Sequence, residues 1–285
     1  MKYLFLIYIF IFILFNCNKD LSSINENDKR QYSTYSESSE GLICELEGLK
    51  DIYSLDESVQ GRLTIMNNSD TTRYHVFAYS GPVFQYTVFD ENDDQVFYIA
   101  YRTATVYDFY FEPNDTISKG FGWNQSYIST NYYSGLKVFS GKYLIIPSHV
   151  GIPIKNIGKW IEINEIGEPF STKLYYYFSD KDSLKLDFIL RNRTSKNYTY
   201  TLDNNIPIKI EYTDEMSNEL ILTDFPEIDY SELNIRPKSD HILYKYRISK
   251  SDSVFSEMEG SYNCKITFNC NSREISASAW ILLPY

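Results

Sequence analysis

Few residues in this chain of 285 are of types that do chemistry, and their spacing limits what they could do. Three histidines, His75, His149 and His241, stand far apart and belong to no metal-binding or nucleophile–base motif. His75 lies in a Tyr/Val/Phe stretch and reads as a sheet residue. No G-x-S-x-G, H-E-x-x-H, G-x-G-x-x-G or phosphate-loop string occurs. The chain therefore reads as non-enzymatic, with a hydrolase built from scattered carboxylates as the remote alternative. The acidic turn Asp90-Glu91-Asn92-Asp93-Asp94 offers Asp90, Asp93 and Asp94 as oxygen ligands for Ca2+, but without EF-hand spacing. A solvated hairpin turn is the favoured reading there, and no cofactor is expected.

Thiols are the other reactive groups. Besides Cys17 there are Cys44, Cys264 and Cys270, an odd number, so at least one is unpaired within a monomer. Six residues of strand would hold Cys264 and Cys270 roughly 20 Å apart, beyond the ~7 Å reach of a disulfide. Cys264 reads as a buried small hydrophobe, and a bridge from Cys44 to either one is left open. Cys17 is different because of what precedes it. Lys2 is followed by thirteen apolar residues, Tyr3 to Phe15. A helix of that length covers roughly 20 Å, short of a ~30 Å hydrocarbon core, and the pattern is that of a secretory signal over residues 1–16. The run ends Leu14-Phe15-Asn16-Cys17, which resembles the lipobox of bacterial lipoproteins. That resemblance implies cleavage before Cys17, a diacylglyceryl group on its sulfur, and attachment to an envelope membrane.

Residues 17–40 are rich in Ser, Asn and charge, with no period of 2 or 3.6, and read as a disordered tether. Such a chain would span roughly 25–30 Å. From Gly41 on, short alternating runs rich in Tyr, Phe, Ile and Val are broken by Asn/Asp/Gly/Ser clusters, the rhythm of an antiparallel sandwich. The text then repeats about 124 residues later. Asn68–Tyr74 matches Asn192–Tyr198; Phe84, Tyr86, Val88 and Asp90 match Ile208, Ile210, Tyr212 and Asp214; Pro113 matches Pro237. Gly141-Lys142-Tyr143 matches Gly260-Ser261-Tyr262, and Trp160 matches Trp280. This ordered series predicts two tandem β-sandwiches, over residues 41–165 and 166–285.

Ile65-Met66-Asn67, Phe77-Ala78-Tyr79-Ser80-Gly81, Phe84 to Glu91, Pro113 to Thr116, Trp123 and Gly141-Lys142-Tyr143 together resemble the BsuPI-type intracellular proteinase inhibitor domain. The resemblance covers most of the first unit and fades in the second. It implies an immunoglobulin-like antiparallel sandwich, and it carries protease inhibition as the alternative function.

One asymmetry between the units suggests a contact surface. From the matched Pro to the matched Gly is 28 residues in the first unit and 23 in the second, and the extra length falls in Asn124–Gly135. Tyr127, Tyr132 and Tyr133 stand there among Ser, Thr and Asn, a composition suited to binding a macromolecule. If they form that surface, deleting Gln125–Ser134 should leave stability nearly unchanged; if they cap the core, it should not. The net charge of −11 argues against nucleic acid as a partner. The expected protein is an all-β, lipid-anchored envelope component, held to the membrane through Cys17, that binds an unidentified protein or glycan.

Overall fold

The computed structural model describes residues 32–78, 82–102, 107–128, 134–180, 183–203, 205–214, 220–249 and 260–283. Cys17 and the expected signal segment lie outside these residues. Within them the regular elements are strands. Eleven fall in the first repeat: β1 (Tyr35–Glu37), β2 (Leu42–Glu47), β3 (Ile52–Tyr53), β4 (Val59–Asn67), β5 (Tyr74–Ala78), β6 (Pro82–Asp90), β7 (Gln95–Arg102), β8 (Tyr107–Phe111), β9 (Thr116–Trp123), β10 (Gly141–His149) and β11 (Lys159–Ile163). Nine fall in the second: β12 (Phe170–Asp180), β13 (Ser183–Asn192), β14 (Tyr198–Thr201), β15 (Ile208–Asp214), β16 (Leu220–Asp224), β17 (Glu232–Ile235), β18 (Ser239–Ser249), β19 (Gly260–Cys270) and β20 (Arg273–Leu283).

The pairing is that of two immunoglobulin-like sandwiches. In the first, a sheet ordered β1-β2-β4-β9 faces one ordered β3-β11-β10-β6-β7. In the second, β12-β13-β18 faces β16-β15-β19-β20. Each unit adds a two-stranded ribbon, β5-β8 and β14-β17. Alternation explains the layers: Leu63 and Ile65 of β4, Tyr86 and Val88 of β6 and Tyr143 and Ile145 of β10 all point into one core. Their counterparts, Phe188 and Leu190 of β13, Ile210 and Tyr212 of β15 and Tyr262 and Cys264 of β19, fill a second.

Register aligns the two repeats at several paired positions. Tyr143 lies opposite Asp90 and Tyr262 opposite Asp214. Leu144 lies opposite Trp160, and Asn263 opposite Trp280. The Gly-x-Tyr motif has a structural cause: the Tyr143 hydroxyl donates to the Phe139 carbonyl at 2.8 Å, the tyrosine corner that ties the loop entering a central strand to the core. One match needs a shift by a residue. The partner of Asn192 is Asn67, not Asn68, because these two side chains do the same work. Asn67 Nδ2 donates to the carbonyls of Thr72 and Phe111, and Asn192 Nδ2 to those of Lys196 and Arg236. Their Oδ1 atoms accept from the Ser69 amide and hydroxyl and from the Thr194 amide and hydroxyl. Each Asn is fully buried and staples a loop that has no sheet to satisfy it.

The tether ends earlier than residue 40. Tyr35–Glu37 pairs antiparallel with Glu45–Ile43, and Ser33 bridges Ile157. The polar sequence hides this because β1 is an edge strand: its backbone bonds hold it, and its side chains face water. The units also differ at one edge. In the first, Gly48 at φ 79° turns the chain across the sandwich, and β3 pairs parallel with β11. In the second, β12 runs along β13 from Phe170 to Phe178 before a bulge shifts its register at Asp180.

Candidate functional site

Several expected sites are structural. Tyr127 is half-buried and packs against the first core, with the Arg191 guanidinium 4.8 Å from its ring centre. Burial pushes its hydroxyl above the usual tyrosine range. Part of its ring is thus held against the protein itself; Tyr132 and Tyr133 lie outside the described residues. At the start of the inserted segment, Gln125 contributes to the junction between the units. Gln125, fully buried at φ 60°, donates from Nε2 to the Ser54 and Glu57 carbonyls at 2.7 and 2.8 Å. Its Oε1 accepts from the Asp56 amide and from Arg193 Nη2.

Arg193 is the centre of this junction. No part of it reaches solvent. Nε donates to the Val138 carbonyl, Nη1 to Asp56 Oδ1 and Nη2 to Gln125 Oε1, each at 2.8 Å. Burial pulls its pKa down and Asp56 pulls it back up. Beside it, Arg191 forms a two-pronged pair with Asp240 at 2.6 and 2.8 Å and donates to the Lys137 carbonyl. The connecting segment is held too: Ile166 O accepts from the Leu55 amide and Pro169 O from the Arg193 amide. Sequence reasoning missed these arginines. The available signal was that Arg191 and Arg193 stand where the first repeat has Met66 and Asn68, at the end of a buried strand.

The acidic turn is a hairpin turn whose own amides use its carboxylate. Asp90 Oδ1 accepts from the Asn92 and Asp94 amides at 2.8 and 3.0 Å, and Asp93 takes φ 65°. Among the described residues no group of three or more His, Cys, Asp or Glu is placed to hold a metal. Cys44, Cys264 and Cys270 are buried and unbridged. Burial pushes the Cys44 thiol up to about 11 and that of Cys264 to about 12, which suppresses thiolate chemistry. Ser239 Oγ and His241 Nε2 approach to 2.8 Å, but Nε2 also accepts the Arg236 amide and Oγ reaches the Arg236 carbonyl. That contact clasps a turn.

The exposed ribbon β5-β8 is unlike its surroundings. Its inward residues, Val76 and Phe111, are fully buried; its outward residues are His75, Phe77, Asp108 and Tyr110. Phe77 is 51 % exposed and Tyr110 52 %. The His75 ring stacks on Tyr110 at 4.9 Å, and its Nε2 meets Asp108 Oδ1 at 2.7 Å. Arg73 lies over the other part of the row, 5.0 Å from the Tyr110 ring and bonded to Glu112. The second unit supplies an internal control. In register, His75, Phe77, Asp108 and Tyr110 correspond to Thr199, Thr201, Glu232 and Asn234. There a Thr199–Asn234 hydrogen bond of 2.8 Å suffices. The backbone does not need aromatic side chains at these positions.

No family model and no curated protein matches the chain in sequence. Solved structures that resemble it include a β-glucuronidase from Parabacteroides merdae, at 12 % identity and TM-score 0.28, over 78 % of this chain and 27 % of that one. A two-domain fibronectin type III segment of chicken tenascin matches at 10 % identity and TM-score 0.21, over 87 % of this chain and 99 % of the segment. The BSP domain of a biofilm associated protein matches at 9 % identity and TM-score 0.19, over 81 % and 28 %. These likenesses identify neither an activity nor a partner.

Proposed function

We propose that this chain is a lipid-anchored envelope protein that works by binding a macromolecule and not by catalysis, with the outward face of the β5-β8 ribbon as its contact surface. The observation that carries the reading is the contrast between the two ribbons. One backbone, built twice, carries Thr, Asn and Glu in the second unit and, beside Asp108, a His75–Tyr110 stack flanked by Phe77 in the first. Exposing two large rings in water gains the fold nothing, whereas aromatic side chains ringed by Arg73, Asp108 and Glu112 suit the centre of an interface. Apart from the ribbon, a fully buried arginine bonds the second sandwich to Val138 and Asp56 of the first. Anchoring through Cys17 would place the ribbon near the envelope surface.

The test is site-specific photo-crosslinking in native cells. A crosslinker at Phe77 should capture one discrete partner, and the same group at Thr201 should not. Fatty-acid labelling of wild type and Cys17→Ser runs alongside; equal labelling of both removes the anchor from the proposal.

A further inference from the structure

We infer that the outer face of the β12-β13-β18 sheet binds an acidic polysaccharide, at a place separate from the β5-β8 ribbon and independent of what the ribbon holds. The face is read from register. Side by side across it lie Lys173, Ile189 and Ile242, then Tyr175, Asp187 and Lys245, then Tyr177, Lys185 and Arg247. Four cations surround one carboxylate in a chain whose net charge is −11. Lys173 Nζ sits 5.2 Å from the centre of the Tyr175 ring and Lys185 Nζ 5.8 Å from that of Tyr177, with the two rings 5.6 Å apart. Asp187 and Ile189, on the central strand, are buried beneath their neighbours, while Tyr177, Ile242, Lys245 and Arg247 are exposed and Lys173, Tyr175 and Lys185 half-buried.

The first unit again shows what the fold requires. The same three rows there read Glu45, Thr64 and Ser118, then Glu47, Arg62 and Gly120, with Gln60 beside Gly122 in the third. An acidic, glycine-containing face closes one sandwich; a cationic, tyrosine-containing face closes the other. Arg247 donates to the hydroxyl of the buried Ser183 at 3.0 Å, but packing does not call for Lys245 where Gly120 serves. Charge complementarity therefore names the ligand as anionic.

Size and composition narrow it further. Three strands about 4.8 Å apart and three side-chain rows make a patch of roughly 300 Å2, against about 800 Å2 per partner in a standard protein interface. A slender polymer fits this patch and a globular partner does not. Duplex nucleic acid carries about one charge per 1.7 Å of axis and would meet the acidic remainder of the chain. A polysaccharide bearing one acid group per sugar or two is less crowded. Its rings also present C–H faces to tyrosine and carboxylates to lysine, the two chemistries paired here.

The experiment is titration of the purified full chain with sodium polygalacturonate, with neutral dextran, poly-glutamate, duplex DNA and anionic-lipid vesicles as parallel probes. Polygalacturonate should bind with an affinity that falls as salt rises, and dextran should not bind. Lys185→Gln with Lys245→Gln, the first copying Gln60, should weaken binding at least tenfold at unchanged melting temperature. Tyr177→Ser should weaken polygalacturonate but leave any residual poly-glutamate binding unchanged. The His75→Thr, Phe77→Thr, Tyr110→Asn variant should titrate as wild type, which separates this face from the ribbon. Absence of polygalacturonate binding, an unchanged affinity in the double variant, or equal or tighter binding of poly-glutamate, DNA or vesicles would overturn the assignment.

Discussion

Replacing Arg193 by Met tests whether the two sandwiches form one stable body. Methionine keeps much of the length and fills much of the space, so the loss is chiefly of charge and hydrogen bonds. Three bonds of 2.8 Å disappear. Their partners are left in different states. Gln125 Oε1 retains the Asp56 amide at 3.0 Å, and the Asp56 side chain, 39 % exposed, can turn to water. The Val138 carbonyl loses its bond to a buried donor, a cost of about 1–3 kcal/mol. Arginine burial has its own desolvation cost, which the methionine avoids, and that sets an upper limit well below the 3–5 kcal/mol of a fully buried pair. The balance is a loss of about 2 kcal/mol, or roughly 4–8 °C in a chain of this size. Because the lost bonds cross between the units, urea unfolding should also split from one transition into two. Calorimetry and urea titration of the wild type, Arg193→Met and Asp56→Asn give the comparison, with Asp56→Asn milder. If Arg193→Met stays within 0.5 kcal/mol of wild type and unfolds in one transition, the junction is not what holds the units together.

Further outcomes follow from single contacts. His149 is buried, packs edge-on against Phe84 at 4.5 Å, and burial holds its pKa down to about 4. Between pH 6.5 and 4 the unfolded chain takes a proton that the folded chain refuses, so stability falls across that window by about 3 kcal/mol and levels off below it; in His149→Phe, pH-dependent melting should lose this component. At Gly61 an added Cβ would lie 2.5 Å from the Phe121 ring, which itself stacks on Tyr86 at 4.0 Å. Gly61→Ala should therefore lower the melting temperature, and pairing it with Phe121→Leu should recover part of the loss. Deleting Gln125–Ser134 should destabilise the protein strongly, because Gln125 bonds Ser54, Glu57 and Arg193; an unchanged melting curve would contradict the junction as drawn. A panel of serine proteases tests the inhibitor alternative that the BsuPI-type resemblance carries; if binding at the ribbon is the function, none should be inhibited at sub-micromolar concentration.

Much of the fold was legible because it rests on local signals. Alternation of Phe84, Tyr86 and Val88 placed β6, and the repeated Gly-x-Tyr and Trp aligned β10 with β19 and β11 with β20. The Asn67–Asn192 equivalence was misread by one residue because the first loop is a residue longer, and only the hydrogen bonds show which Asn is the staple. β1 was invisible since an edge strand is held by backbone bonds that leave no apolar pattern. The sites were harder. Composition marked Tyr127 as a binding tyrosine, but whether a tyrosine packs or protrudes depends on long-range contacts, here with Arg191. The β5-β8 patch is encoded on two strands, with Asp108 33 residues from His75, so His75 reads alone as a sheet residue until Asp108 and Tyr110 arrive beside it.

The central claim, that the first ribbon binds a partner, is tested most directly by exchanging the two ribbon faces. Thr and Asn from Thr199 and Asn234, with Thr from Thr201, are placed at His75, Tyr110 and Phe77, and the aromatic set is grafted in return onto the second ribbon. Partner capture in native cells is then read by crosslinking at each ribbon, with melting temperature as the control for folding. The account predicts that capture at the first ribbon is lost, while the melting temperature stays within a few degrees of wild type. Undiminished capture at residue 77 in the exchanged protein would contradict it.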